Sequence, residues 1–330
     1  MFFCGEFMQN GDLSKLDQIR LNDGNDKCRK FLEHTFYRNG KEAVELINDD
    51  NLSFPTFYAL LPLIRVFGLA RYLDKKKSIA LDIINQIILP RGFYRGREYL
   101  SMKDQSVYET LLWMANTGKE EDIDNQYEHV MDVAISVLID TYEDKDILEA
   151  VDEMIFKRNA KGRYINDLVW AFFNSKDPKT IKLLLKRLRS DNPNESQLAQ
   201  KLLNIEEDIV SKENFCAEYS QWLEENGEFI YFTEESNQYA SNPVLLKEDL
   251  ARKYFNKGVK DYRHQPYVPL SAQEAECLAA FNALNDDDKA ILSEYSKKKR
   301  DKSQAEWKDW INKPIEEQIK EALGRGEEYI

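Results

Sequence analysis

Through the middle of the chain, apolar side chains recur at the i, i+3, i+4, i+7 spacing of one helix face, and the recurrence itself repeats. Ile147, Ala150, Val151 and Met154 are matched 34 residues later by Ile181, Leu184, Leu185 and Leu188. Tyr164, Ile165, Leu168 and Val169 are matched at the same interval by Leu198, Ala199, Leu202 and Leu203, and are preceded at that interval by Val130, Met131, Ala134 and Ile135. The helix carrying Tyr108, Leu111, Leu112 and Ala115 stands 39 residues before the Ile147 series, so the extra residues fall in an acidic linker from Glu120 to Asp124. Each segment is a helix with one apolar stripe, and neither helix of a pair can bury that stripe alone. Stacking must supply the core.

Caps and breakers set the ends. Ser53 with Pro55 opens a helix reaching to about Leu73, and Ile79, Ile83, Ile84 and Ile87 mark its partner, which Pro90 ends. Asp177-Pro178 and Asn192-Pro193 are N-cap-plus-proline starts for the last pair, so four antiparallel pairs fit between Ser53 and Ile205. Before them, residues 1–50 read as short helices punctuated by Asn22-Asp23-Gly24 and Asn39-Gly40. After Ile205 the texture changes: a helix from about Ser211 to Glu225, then a short strand or an extended aromatic plug from Glu228 to Thr233, then irregular stretches over 237–243 and 258–270. Ser271 to Glu274 is a capping box opening a helix to Leu284, Asp286 caps the next, and Trp307 to Ala322 is broken at Pro314. Two regions follow, a helical repeat domain over 1–205 and a mainly helical region over 206–330.

Helix pairs at these intervals, with Asp-Pro starts and leucine-rich stripes such as Ile181-Lys182-Leu183-Leu184-Leu185, resemble HEAT or armadillo-type α-solenoids over residues 53–205. The Trp, Leu-Gly, Tyr and Pro signature of tetratricopeptide repeats is missing. The resemblance implies an all-α chain, a right-handed α-solenoid of antiparallel pairs with the C-terminal region as its cap. It also implies that the second helix of each pair lines a concave groove.

Projecting residues 159–174 as one helix puts Tyr164, Ile165, Leu168, Val169 and Phe172 on one side and Arg163, Asn166, Asp167, Trp170 and Asn174 on the other. A tryptophan on the polar face is the unexpected residue. One interval back lie His129, Asp132, Ser136 and Asp140, and one forward lie Gln197, Gln200, Lys201 and Asn204. In the resembling solenoids these stripes are neighbours, which makes Arg163, Asn166, Asp167, Trp170, Asn174, His129, Asp132, Gln200 and Lys201 the candidate partner-binding set, with Trp170 and Arg163 as its hot spot. The competing expectation is that Trp170 packs beneath the C-terminal region.

Charge narrows the partner. The net charge is −13, with 32% charged residues, which argues against nonspecific binding of DNA or anionic membranes. The sign alternates in blocks, with 8 basic and 3 acidic residues over 51–100, then 3 and 13 over 101–150. Within the basic block, Arg91, Tyr94, Arg95 and Arg97 form an anion-binding candidate of guanidinium groups beside an aromatic ring. It lacks the Lys-Ser/Thr of a phosphate loop. Lys297 to Arg300 suits the C-terminus of a helix dipole.

Catalytic chemistry finds little support. His129, Asp132 and Ser136 share a helix face, but residues seven apart on a helix stand two turns apart, beyond the reach a hydrolytic triad needs. His34, His129 and His264 are far apart, the four cysteines have no ligand spacing, and no GxGxxG-bearing βαβ unit occurs, so neither a metal nor a nucleotide cofactor is expected. Free thiols, no signal peptide and an apolar window (Phe54 to Leu73) interrupted by Pro62 and Arg65 suit a cytoplasmic protein without a membrane span. The leading function is a non-enzymatic scaffold or inhibitor whose groove takes another protein, a basic one by charge. The alternatives are a nucleic-acid-acting enzyme like the DNA glycosylases built on HEAT-like solenoids, and a self-assembling structural component.

Overall fold

A computed structural model of the chain describes residues 13–89, 98–101, 103–119, 123–205, 212–233, 235, 244–258 and 272–324. Among them are seventeen α-helices and one two-stranded sheet, so the chain is all-α. It divides into two compact units after Ser175, upstream of Ile205, where the sequence changes texture. Each is described by itself.

In the first unit, α1 (Lys15–Asp23) and α2 (Asn25–Arg38) meet at Gly24, whose φ of 88° ends one helix and begins the next. Asn39 caps α3 (Gly40–Ile47), so the Asn-Gly stop is also a start. Ser53 and Pro55 open α4 (Phe54–Val66) as their chemistry requires. The helix ends short of Leu73 because Gly68 takes the left-handed conformation and hands over to a 3₁₀ turn, Leu69–Tyr72. Asp17 of α1 is fully buried, and it accepts the Ser53 backbone N–H at 3.0 Å together with the Ser53 and Thr56 hydroxyls. That carboxylate fastens the first helix to the start of the fourth.

Aspartates then cap three helices in turn, Asp74 on α5 (Lys75–Ile88), Asp104 on α6 (Gln105–Gly118) and Asp124 on α7 (Asn125–Asp140). The unit closes with α8 (Leu148–Ala160) and α9 (Asn166–Asn174). The sequence pattern carries one helix across 159–174, whereas the chain breaks at Gly162 (φ 66°), where Arg163 N–H bonds back to Arg158 O at 2.9 Å. A glycine just past a helix end closes it this way without a Cβ penalty. Helix α4 packs on α6, α5 on α6 and α7, α6 on α7, and both α7 and α8 on α9. Phe54, Leu111, Met114, Val130, Met131, Ile135 and Leu138 are fully buried among them, each such side chain contributing roughly 1.5–3 kcal/mol. The predicted stripes face this core, with one exception: Tyr164 lies before the start of α9 and is 58% exposed.

The second unit begins with α10 (Pro178–Leu188) and α11 (Pro193–Leu202), whose starts are the Asp-Pro and Asn-Pro pairs. Ile181, Leu184, Leu185 and Leu188 are buried as the stripe requires. Helix α12 (Lys212–Asn226) leads to β1 (Ile230–Phe232), which pairs antiparallel with β2 (Leu246–Glu248) in the register Tyr231 to Lys247. Then follow α13 (Leu250–Phe255), α14 (Ala272–Asn282), α15 (Asp286–Lys302), α16 (Gln304–Ile311) and α17 (Ile315–Gly324). Asn285, not Asp286, caps α15. Trp310 is fully buried with Tyr254, Phe281 and Leu292, while Trp307 lies at the edge of that cluster and donates to the Ser296 hydroxyl at 2.7 Å. No described helix is long and apolar enough to cross a membrane.

Candidate functional site

Helix α9 is short and two-sided. Leu168, Ala171 and Phe172 fix its inner face in the core, which leaves Asn166, Asp167, Trp170 and Asn174 on the outer face. Trp170 is 54% exposed. Tyr164, also exposed, precedes the start of α9 and donates its hydroxyl to Asp167 Oδ1 in the helix's first turn at 3.2 Å. At the far end the Asn174 side-chain amide donates to Asp140 at the end of α7. Those two residues are 34 apart, so positions matched by the sequence pattern touch.

Beneath this face lies a buried network of charges. Arg158, from the last turn of α8, donates Nη1–H to Asp132 Oδ1 at 2.7 Å and lies 3.9 Å from Glu128 Oε1. Arg163, from the loop between α8 and α9, reaches the same Glu128 oxygen at 3.0 Å. Asp132 and Glu128 are four residues apart on α7 and therefore point the same way. Burial pushes the Asp132 carboxyl up to about 6, against the lowering effect of Arg158, and the carboxylates of Asp167 and Glu128 push in the same direction as burial. Asp140 is also raised by burial, less the hydrogen bond from Asn174. The network pins the loop from which α9 starts. A shallow cleft of ≈ 490 Å³ opens beside Arg163, lined by Ile123, Asp124, Asn125 and Gln126.

The predicted binding set thus splits. Asn166, Asp167, Trp170 and Asn174 share the outer face of α9, and His129 is exposed on α7. Asp132 is only 5% exposed and holds Arg158, and Arg163 holds Glu128, so both serve as supports beneath the face. Gln200 and Lys201 belong to α11 in the second unit, where Lys201 is exposed and Gln200 half-buried. Arg91, Tyr94, Arg95 and Arg97 lie outside the described residues. Ser136 is not poised as a nucleophile, because its hydroxyl donates to the Asp132 backbone carbonyl at 2.9 Å. The Lys297–Arg300 run is engaged within its own unit: Lys297 donates to Glu225 O, Lys299 to Glu321 and Arg300 to Asp301.

Sequence patterns missed Arg158, Glu128 and Tyr164. The spacing of Glu128 and Asp132 was a signal for two acids on one face. Nothing local in the sequence points to Arg158, which is brought in by the α8 turn. Set beside protein-family models, curated proteins and solved structures, the chain matches none of them.

Proposed function

We propose that the chain is a HEAT- or armadillo-like, right-handed α-solenoid that acts as a non-enzymatic scaffold or inhibitor, and that the outer face of α9 takes a basic segment of another protein. The carrying observation is Trp170, a 54% exposed indole on a helix whose inner face is locked in the core and whose outer face also carries Asp167, three residues before it. Tryptophan is among the residues enriched at binding hot spots. An indole and a phenol beside Asp167 and Asp140 suit a guanidinium or ammonium group, which gains both a ring face and a counter-charge. The solenoid reading draws support from like-on-like packing, α4 on α6 and α5 on α7 on α9, and from the Asp140–Asn174 bond one interval apart.

The test is selection of short random peptides displayed against the immobilised protein. Enrichment of Arg- and Lys-bearing peptides that lose binding to Trp170→Ala, with helical circular dichroism unchanged, is the expected result. Peptides with no basic preference, or none that depends on Trp170, would refute the reading.

A further inference from the structure

A second exposed apolar surface lies at the other end of the first unit. Val66 is 76% exposed, Tyr37 72% and Tyr72 52%. Phe67, between them, is partly covered: Phe36 stacks on it at 4.3 Å and Tyr37 meets it edge-on at 5.6 Å. These side chains project from adjoining ends, the C-termini of α2 and α4 and the 3₁₀ turn after Gly68.

Charges of both signs surround them: Asp74 follows Tyr72, Asp49 and Asp50 follow Asn48, which bonds the Tyr72 carbonyl, and the cations are incompletely matched. Arg38 donates from Nη2 to both carboxylate oxygens of Glu42, and Lys41 pairs with Glu45. Arg65 instead donates to the neutral Asn85 amide, and Arg71 lies over the Tyr72 ring. Neither Arg65 nor Arg71 meets a carboxylate among the described residues, in a chain whose net charge is −13. The dipole of α4 accounts for a cation at Arg65. It does not account for Arg71, nor for an aliphatic and two aromatic side chains left in water beside it.

We propose that this edge is itself the basic segment taken by the α9 face, so that a second copy of the chain docks Val66, Tyr37, Tyr72, Arg65 and Arg71 against Trp170, Tyr164, Asp167 and Asp140 of the first. The proposal rests on the reading of α9 given above and names its partner. The two surfaces match in kind, each with rings or an aliphatic tip beside charges, and Arg65 and Arg71 on one are opposite in sign to Asp167 and Asp140 on the other. Within one copy α6 and α7 stand between α4 and α9 in the packing order, three helix contacts that at 8–10 Å each set them roughly 25 Å apart when the helices lie in a row. A nucleic acid is less suited to this edge. Phe67 has one face covered by Phe36, and Val66 offers burial and no stacking. The contact is heterologous, so a pair keeps one free surface of each kind, the edge of one copy and the α9 face of the other, and further copies can add.

Sedimentation velocity of the full chain over a range of concentrations tests it. The expected result is a mass that rises above 38.8 kDa with concentration, and dissociation at least about 30-fold easier in Trp170→Ala, the effect of losing one hot spot. Val66→Asp with Arg71→Glu is expected to stay monomeric as well. Mixing these two variants is the decisive step, since each retains the surface the other lost, and one-to-one pairs are expected to reappear. Arg71→Glu is likewise expected to be rescued by Asp167→Lys on the partner copy. A wild-type mass fixed at 38.8 kDa, association indifferent to these substitutions, or no recovery on mixing would overturn the proposal. If the monomeric wild type still selects basic peptides through Trp170, the function proposed for α9 stands and only the identity of its partner falls. If it selects none, both fall.

Discussion

Arg158→Met tests the network under α9 most directly. The guanidinium is 10% exposed and lies between Asp132 at 6% and Glu128 at 10%. Methionine keeps much of the apolar stem, so the change is chiefly the loss of charge. Glu128 keeps Arg163 at 3.0 Å, but Asp132 loses its close cation. Removing one partner of a buried pair costs about 3–5 kcal/mol, and protonation is the route by which Asp132 can escape part of that cost. Its folded value of about 6 already stands above the ordinary 3.8, so the folded state binds the proton more tightly. Its contribution therefore falls as pH rises from about 4 to 6, by up to about 3 kcal/mol, and is level above that. Without Arg158 the folded value rises further and the decline extends towards neutrality. Arg158→Met is thus expected to cost least near pH 5 and most above pH 7, and Asp132→Asn in the same chain is expected to recover much of the loss. Because the chain has two units, hydrogen exchange of α7 and α8 amides is the suitable assay, since it reads their opening apart from the rest. A loss under about 1 kcal/mol that is flat with pH would refute the reasoning, since a desolvated carboxylate cannot be left unpaired so cheaply.

Two further substitutions test the packing of each unit. Gly118→Ala would gain helix propensity in an open site, but here its Cβ would stand 2.6 Å from Tyr127 Oη and 2.9 Å from Met131 Sδ; a loss of about 1–3 kcal/mol is expected from thermal unfolding, and a gain would refute it. In the second unit, burial works to raise Glu321, but hydrogen bonds from Lys299, Lys313 and Tyr295 outweigh it and hold the carboxyl at about 2. Because the folded value lies below the ordinary one, that stabilisation is full above about pH 4.5 and is lost as pH falls towards 2. Glu321→Gln is expected to flatten this acid limb in a denaturant series, and an unchanged limb would show the hydrogen bonds to be inconsequential.

The helices were legible wherever one residue's chemistry decides an end. Asp177-Pro178, Asn192-Pro193, Ser53 and Pro314 all mark ends as read, and the stripe from Ile181 to Leu188 is buried as its spacing demands. Gly68 and Gly162 were passed over because an apolar pattern ran on through them, and periodicity has no term for a left-handed residue. Trp170 could be placed on the outer face from phase alone, because Leu168 and Phe172 set the rotation of α9. Asp132 and Arg163 share that phase or lie near it, yet they are supports. Deciding this takes knowledge of where Arg158 ends up, a contact 26 residues away along the chain. The basic, apolar edge was illegible for a similar reason. Tyr37, Val66 and Tyr72 come from three elements, and each alone is an ordinary exposed residue.

Net charge and local charge pull in opposite directions here, and their different ranges decide between them. Two copies at −13 each repel over long distances, which slows encounter and opposes association at low ionic strength. At physiological salt the Debye length is about 8 Å, shorter than the distance across one helix with its side chains, so most of that repulsion is screened. Contacts between Arg71 and Asp167, pressed together beside Trp170 and Val66, lie inside the screening length and are partly sheltered from it. Self-association is therefore expected to strengthen as salt is first added to a dilute buffer, and to weaken again only at high concentration as the paired charges themselves are screened. In Arg71→Glu association should start weaker, the first rise should persist and the later fall should shrink, because that variant keeps Arg65 but loses one of the attractions that salt would remove and gains a repulsion that salt would relieve. A steady decline from the lowest salt upward in the wild type would mean that long-range attraction dominates, and the docking geometry proposed for the two surfaces would have to be abandoned.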